Sequence, residues 1–321
     1  MKDASMLKIL VYTDGNPETA KALKIGAVLK SRLQVAMDVM TIRSGTHATE
    51  KTPLTGVDIP ILRDEVISPG MRILVNALKD LTHVNLIHQQ SSVKIREISG
   101  GYLFVCNSSA GDPVHFLEKF GHIVEELNHE VAENHDNLVI ASLKQRGALG
   151  SMGIGDSARS LALDLQTSVF FARGGDFKSR FLICADGSPS SKRIFPMLRI
   201  LSPAIEGFIT VAWVRTSKAD HKEILAAKRC LDEAQNWLKT CGKEVEILEL
   251  KGDRPLDVLL QQARDDSVVV MGASLKHDLV RRTLGSLPIR MLAKTKSSVL
   301  VIKRPPVGDI PESEFVCKEI E

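Results

Sequence analysis

The stretch Phe181-Leu-Ile-Cys-Ala-Asp-Gly-Ser-Pro189 has a counterpart 172 residues earlier, Ile9-Leu-Val-Tyr-Thr-Asp-Gly-Asn-Pro17, with no gap between them. Each is a short apolar run that ends in Asp-Gly-Asn/Ser-Pro and then enters a helical pattern. Physically this reads as a buried strand, a sharp glycine-assisted turn, and a helix start with Asn or Ser available as cap. A second pair of matches lies near the other end of each copy. Leu138-Val-Ile-Ala141 and the run 167–173 align with Val268-Val-Val-Met271 and the run 297–303, both at an offset of 130. The chain therefore contains one domain twice, and the first copy holds 42 extra residues between its first and fourth strands.

Working outward from these anchors, the second copy reads as strand 181–185, helix 189–201, strand 207–214, helix 222–241, strand 244–250, helix 255–263, strand 268–271, helix 287–294 and strand 298–302. Apolar strands alternating with amphipathic helices predict a parallel sheet covered on both faces. The first copy predicts strands at 7–13, 34–41, 93–98, 138–141 and 168–172, with its extra length in 44–70 and 100–135. The fold class expected is α/β: two doubly wound, five-stranded, mostly parallel sheets. The boundaries are 1–175 for the first domain, 176–304 for the second and 305–321 for a C-terminal tail rich in proline and acid.

Composition narrows the function. The chain has 321 residues, 44% apolar and 25% charged, which is the balance of a soluble globular protein. A net charge of +3 and an aromatic content of 4% point away from nucleic acid. No apolar run is long enough for a membrane span, and the first residues lack the apolar core of a signal peptide. The five cysteines include no CxxC pair and leave one over after pairing, which fits free thiols in a reducing, cytoplasmic compartment. Positive charge gathers in the second half, where Lys276, Arg281, Arg282, Arg290, Lys294 and Lys296 face a single acid, Asp278. An anionic ligand or a solvated basic face both account for that run.

In a doubly wound sheet, ligands sit beyond the carboxyl ends of the strands, where strand order reverses. After the fourth strand of the second copy comes Gly272-Ala-Ser-Leu275, then nine residues, then Gly285-Ser286 at a helix start. Glycine lets backbone N–H groups approach an anion, and a helix N-terminus adds partial positive charge. The plain alternative is that Asp14 and Asp186 cap their turns and Ser286 caps its helix. His115, His122 and His129 recur every seven residues on an expected helix, with Glu118 and Glu125 a turn before the second and third. Metal binding and a solvated helix face compete there, and the face is the commoner outcome.

The Asp-Gly-Ser turn, the Gly-x2-x-x9-Gly-Ser spacing and the closing Val-Leu-Val-Ile strand together resemble the universal stress protein (UspA-type) domain, and the resemblance covers both halves. It implies a tandem universal stress protein with an adenine nucleotide alpha-hydrolase-like fold, the two domains packed as an internal pseudo-dimer. It also implies a non-catalytic stress-response protein, with ATP or another adenine nucleotide as ligand in the nucleotide-binding members. By position, Asp186 would lie beside the adenosine and Val214 would offer backbone to the base. Gly272 would lie under ribose and phosphates, and Gly285 and Ser286 would hold the phosphate chain. Leu275 stands at the family's second glycine and Pro288 at a common hydroxyl position. In the first copy Ser142 and Gln145 replace both glycines, and Asp156 follows Gly155 where a serine belongs. Asp14 and Gly155 therefore mark a degenerate site, where a carboxylate would repel a triphosphate. The competing readings are a nucleotide-free scaffold that binds a protein or a small apolar ligand, and a nucleotide-hydrolysing enzyme. The enzyme reading is the weaker, because no nucleophile–base pair stands out.

Overall fold

Runs of consecutive apolar residues, buried on both faces, make the central strands. The structure is a computed structural model that describes residues 7–45, 58–60, 68–90, 92–135, 137–142, 156–273 and 287–303. Two units divide the chain, residues 8–173 and the residues from 174 onward.

The second unit runs β10 (Phe181–Cys184), α5 (Pro189–Lys192), α6 (Ile194–Leu201), β11 (Ile209–Arg215), α7 (His221–Thr240), β12 (Val245–Lys251), α8 (Pro255–Gln262), β13 (Val268–Gly272), α9 (Leu287–Lys294) and β14 (Ser298–Ile302). Its strands are all parallel in the order β12-β11-β10-β13-β14, so the reversal falls between β10 and β13. Strands β13 and β14 are buried along almost their whole length, as a parallel sheet covered on both sides requires. A capping box starts α7: the Asp220 carboxylate accepts from Glu223 N–H at 2.8 Å, and Glu223 accepts from Asp220 N–H at 3.2 Å.

The first unit repeats the plan with additions. It runs β1 (Lys8–Tyr12), α1 (Thr19–Leu33), β2 (Ala36–Arg43), β3 (Asp58–Pro60), α2 (Pro69–His83), β4 (Ser92–Lys94), β5 (Arg96–Ile98), β6 (Gly101–Asn107), β7 (Pro113–Phe120), α3 (Ile123–Asn134), β8 (Leu138–Ser142), α4 (Asp156–Asp164) and β9 (Ser168–Ala172). Five parallel strands, β9-β8-β1-β2-β7, form the same core. Antiparallel β6 and β5 extend it beyond β7. The two cores share a register: Ile9 pairs with Met37 and Leu138, while Phe181 pairs with Ile209 and Val268.

One expected strand is corrected. The third parallel strand of the first unit is β7, not the stretch 93–98, which instead supplies the short antiparallel strands β4 and β5. Along β7 alternate residues face α2 and α3, and Phe116 stacks on Phe104 of β6 with ring centroids 4.6 Å apart. The heptad-like histidine spacing resembled a helix, but cross-strand packing outweighs that local signal. His115 is therefore on a strand, His122 is the N-cap residue of α3, and only His129 lies within that helix. Because β7 and α3 belong to the shared plan, the inserted length lies in 44–68 and 84–112. The tail 305–321 and most of the loop after β2 lie outside the described residues.

Candidate functional site

In the second unit the site is built where β10 ends. Ala185 N–H donates to Ala212 carbonyl at 3.0 Å, the last link between β10 and β11. The chain then turns: exposed Asp186 accepts from Ser188 N–H at 3.0 Å through one carboxylate oxygen, and Gly187 adopts φ 78°. A Cβ on Gly187 would lie 2.6 Å from the backbone of Ala226 in α7, so both its conformation and its surroundings demand glycine. Ser188 caps α5 by accepting from Ser191 N–H at 3.3 Å, with Pro189 at the first helical position. The turn thus serves as a cap, as its plain reading expects.

Beyond Ala212, strand β11 outruns β10. Arg215 carbonyl accepts from Gly252 N–H at 3.0 Å on the β12 side. Backbone groups alternate sides along a parallel strand. Val214, like Ala212, therefore turns its N–H and C=O toward the β10 side, above the Asp186–Gly187 turn, where no described strand continues. Val214 and Asp186 are thus brought to one crevice.

Gly272 closes the other side of that crevice. A Cβ there would meet Ser190 carbonyl oxygen at 1.9 Å, so its bareness lets β13 approach α5. Arg193, between α5 and α6, donates from Nη2 to Ala273 carbonyl at 3.3 Å, and its buried Nε has no hydrogen-bond partner among the described residues. Sequence reasoning missed this arginine because nothing in its spacing links it to the end of β13. Gly285, Ser286 and Leu275 lie outside the described residues, whereas Pro288 is buried in α9. Beneath the turn, burial and the Asp186 charge push the Cys184 thiol up to about 12, and burial pushes Cys230 up to about 11. Both remain protonated thiols at neutral pH.

The first unit fills the equivalent crevice with its own side chains. Gly15 has φ 76°, matching Gly187, and Ile42 stands where Val214 does. Asp14, however, accepts from Asn16 N–H at 3.1 Å and from the Thr19 hydroxyl at 3.2 Å, while its other oxygen takes the Asn16 side-chain amide. Ser142, in the place of Gly272, lies 3.4 Å from the Thr19 hydroxyl and ties β8 to α1. Gly155 and Gln145 lie outside the described residues; Asp156 begins α4.

The histidines do not converge. His115 Nδ1 lies 2.7 Å from Asp38, while His129 pairs with Glu133 in its own helix. No group of three metal-ligating side chains occurs among the described residues. No helix among them is long and apolar enough to cross a membrane.

No protein-family model matches the chain, and no curated protein matches it. Solved structures do. The chain is similar to a universal stress protein from Archaeoglobus fulgidus DSM 4304, with a TM-score of 0.59 and 16% identity over 94% of this chain and 97% of that one. A protein of Pseudomonas aeruginosa UCBPP-PA14, assigned to the universal stress proteins, matches with a TM-score of 0.58 and 16% identity over 93% and 94%. The fold is that of a tandem universal stress protein. Both copies of the universal stress protein fold carry the Asp-Gly turn at their switch point; among the described residues, both carboxylate oxygens of Asp14 are bonded, whereas Asp186 accepts through one.

Proposed function

We propose that the protein is a non-catalytic, regulatory universal stress protein that binds an adenine nucleotide, such as ATP, in its second half. The observation that carries this reading is the edge of β11. Val214 turns an N–H and a C=O side by side to the β10 side, past the end of β10, a donor–acceptor pair that matches the Watson–Crick edge of adenine. Asp186 keeps one oxygen clear of protein partners among the described residues and is suited to accept from a ribose hydroxyl. Gly285 and Ser286 are proposed to hold the phosphates, through open backbone and a hydroxyl donor.

Titration calorimetry with ATP tests this, together with tryptophan emission, because Trp213 directly precedes Val214 and Trp237 is in the same half. Ser286→Asp keeps a competent helix cap but adds a carboxylate. It is expected to weaken ATP binding about tenfold to a hundredfold without lowering Tm. Binding unaffected by Ser286→Asp, or binding with unchanged tryptophan emission, counts against the assignment.

A second reading is favoured by one contact. Gly272 is accounted for by its approach to Ser190, with no ligand needed. On that reading the protein is an interaction scaffold with both crevices closed, and calorimetry finds no adenine nucleotide bound.

A further inference from the structure

The third strand of each core meets a different fate. In the first unit β7 is covered at its outer edge by antiparallel β6, which pairs with it from Gly101↔Lys119 to Asn107↔Pro113. Its counterpart β12 pairs with β11 alone, and no described strand lies beyond it. A bare edge of seven residues is a template for strand addition.

The ladder assigns the free groups. Gly252 N–H reaches Arg215 carbonyl, so Gly252, Leu250, Leu248 and Glu246 turn their backbone toward β11. Ile247, Glu249 and Lys251 turn theirs outward. On the side-chain face shared by Glu246, Leu248 and Leu250, a groove of about 610 Å³ opens beside Phe208, which is 47% exposed. Glu249 and Lys251 are exposed on the other face.

We propose that β12 is a self-association edge, pairing antiparallel with β12 of a second copy of this chain about a two-fold axis at Leu250. Among registers centred on a β12 residue between Glu246 and Leu250, only the one at Leu250 sets opposite charges of β12 face to face, with Glu249 flanked by Arg215 at 3.5 Å. An axis at Glu246 or Glu249 places each of those carboxylates opposite itself, which is repulsive. An axis at Leu250 sets Glu249 opposite Lys251 of the second copy, twice by symmetry. The outward backbone groups of those two pairs then exchange four hydrogen bonds. On the groove face Leu250 meets its own copy, and Leu248 lies over Gly252, which has no side chain to obstruct it. The charges that keep unrelated strands away thus favour one matching partner. The antiparallel arrangement is the one by which β6 already covers β7.

Sedimentation equilibrium of the full chain at low salt, over a hundredfold dilution series, tests this. The wild type is expected to form a concentration-dependent dimer. Lys251→Glu, which turns both attractions into repulsions, should raise the dissociation constant at least about tenfold. Leu250→Asp should do the same. Lys239→Glu, on the exposed end of α7, should leave it unchanged. Circular dichroism and Tm establish that each variant folds. A wild type that stays monomeric overturns the proposal, as does a dimer indifferent to both Lys251→Glu and Leu250→Asp.

Discussion

Asp38 shows how one buried carboxylate sets the behaviour of its neighbours. It lies on β2 with the His115 imidazole at 2.7 Å and the Lys8 ammonium at 3.3 Å, and α3 packs over it. The Asp38 hydrogen bond raises the His115 pKa against the opposing effect of burial. Burial alone would lift Asp38, but the His115 hydrogen bond and the Lys8 charge hold its carboxyl below the usual range. The linkage has a definite sign. A raised His115 contributes stability that is fully present below its unfolded value, about 6.5, and is lost as pH rises through its folded value. A lowered Asp38 contributes stability that is present above its unfolded value, about 3.9, and is lost as pH falls through its folded value. The pair is therefore strongest between about pH 4 and 6.5. Thermal melts should show wild type above His115→Gln by the widest margin near pH 5, with the gap closing as pH rises through the raised folded value of His115. The His115 side chain is 41% exposed, so solvent screening limits the gain to less than about 1 kcal/mol. A gap that widens toward alkaline pH would contradict the assigned pairing.

At the scale of elements, the β5–β6 hairpin distinguishes the two copies of the fold. It enters between α2 and β7 and covers the edge that remains bare at β12. Phe104 on β6 is 1% exposed and stacks on Phe116 with nearly parallel rings. Deleting that ring leaves a cavity beside Phe116 on the buried face of the β6–β7 pair. Phe104→Ala is expected to cost about 3–5 kcal/mol by chemical denaturation. A loss below about 1 kcal/mol would mean that the hairpin is only loosely attached to the core. Sequence patterning placed neither this hairpin nor β7. Residues 93–98 read as a strand but not as part of a hairpin, and 113–120 is short and mixed in polarity; its place as the third parallel strand comes from pairing with β2, remote in sequence.

For the whole molecule, duplication followed by divergence predicts asymmetry. Among the described residues, one crevice presents an Asp186 carboxylate oxygen with no partner and a stretch of β11 that runs past the end of β10. In the other, Asp14 is held by Asn16 and Thr19, and Thr19 reaches Ser142. If the nucleotide reading holds, calorimetry should find one ATP bound per chain, not two. Asp186→Asn should weaken that binding, whereas Asp14→Asn should leave affinity unchanged and lower Tm through lost cap bonds. A stoichiometry of two would show that the side chains of the first crevice yield to ligand.

What the amino-acid sequence by itself determined is the repeat and the alternation of parallel strands with helices. Strands buried on both faces must be continuously apolar, and such runs with their Asp-Gly turns remain legible without a partner. It also located the two switch points, because an Asp-Gly-Asn/Ser-Pro turn encodes its own backbone geometry. Tertiary structure alone decided which strand is third in the first sheet, that Arg193 reaches the end of β13, and that Thr19 meets Ser142. Each of these depends on contacts between residues far apart in the chain. Local pattern carries the period of an element, whereas the neighbours of a side chain are set only when the sheet is assembled.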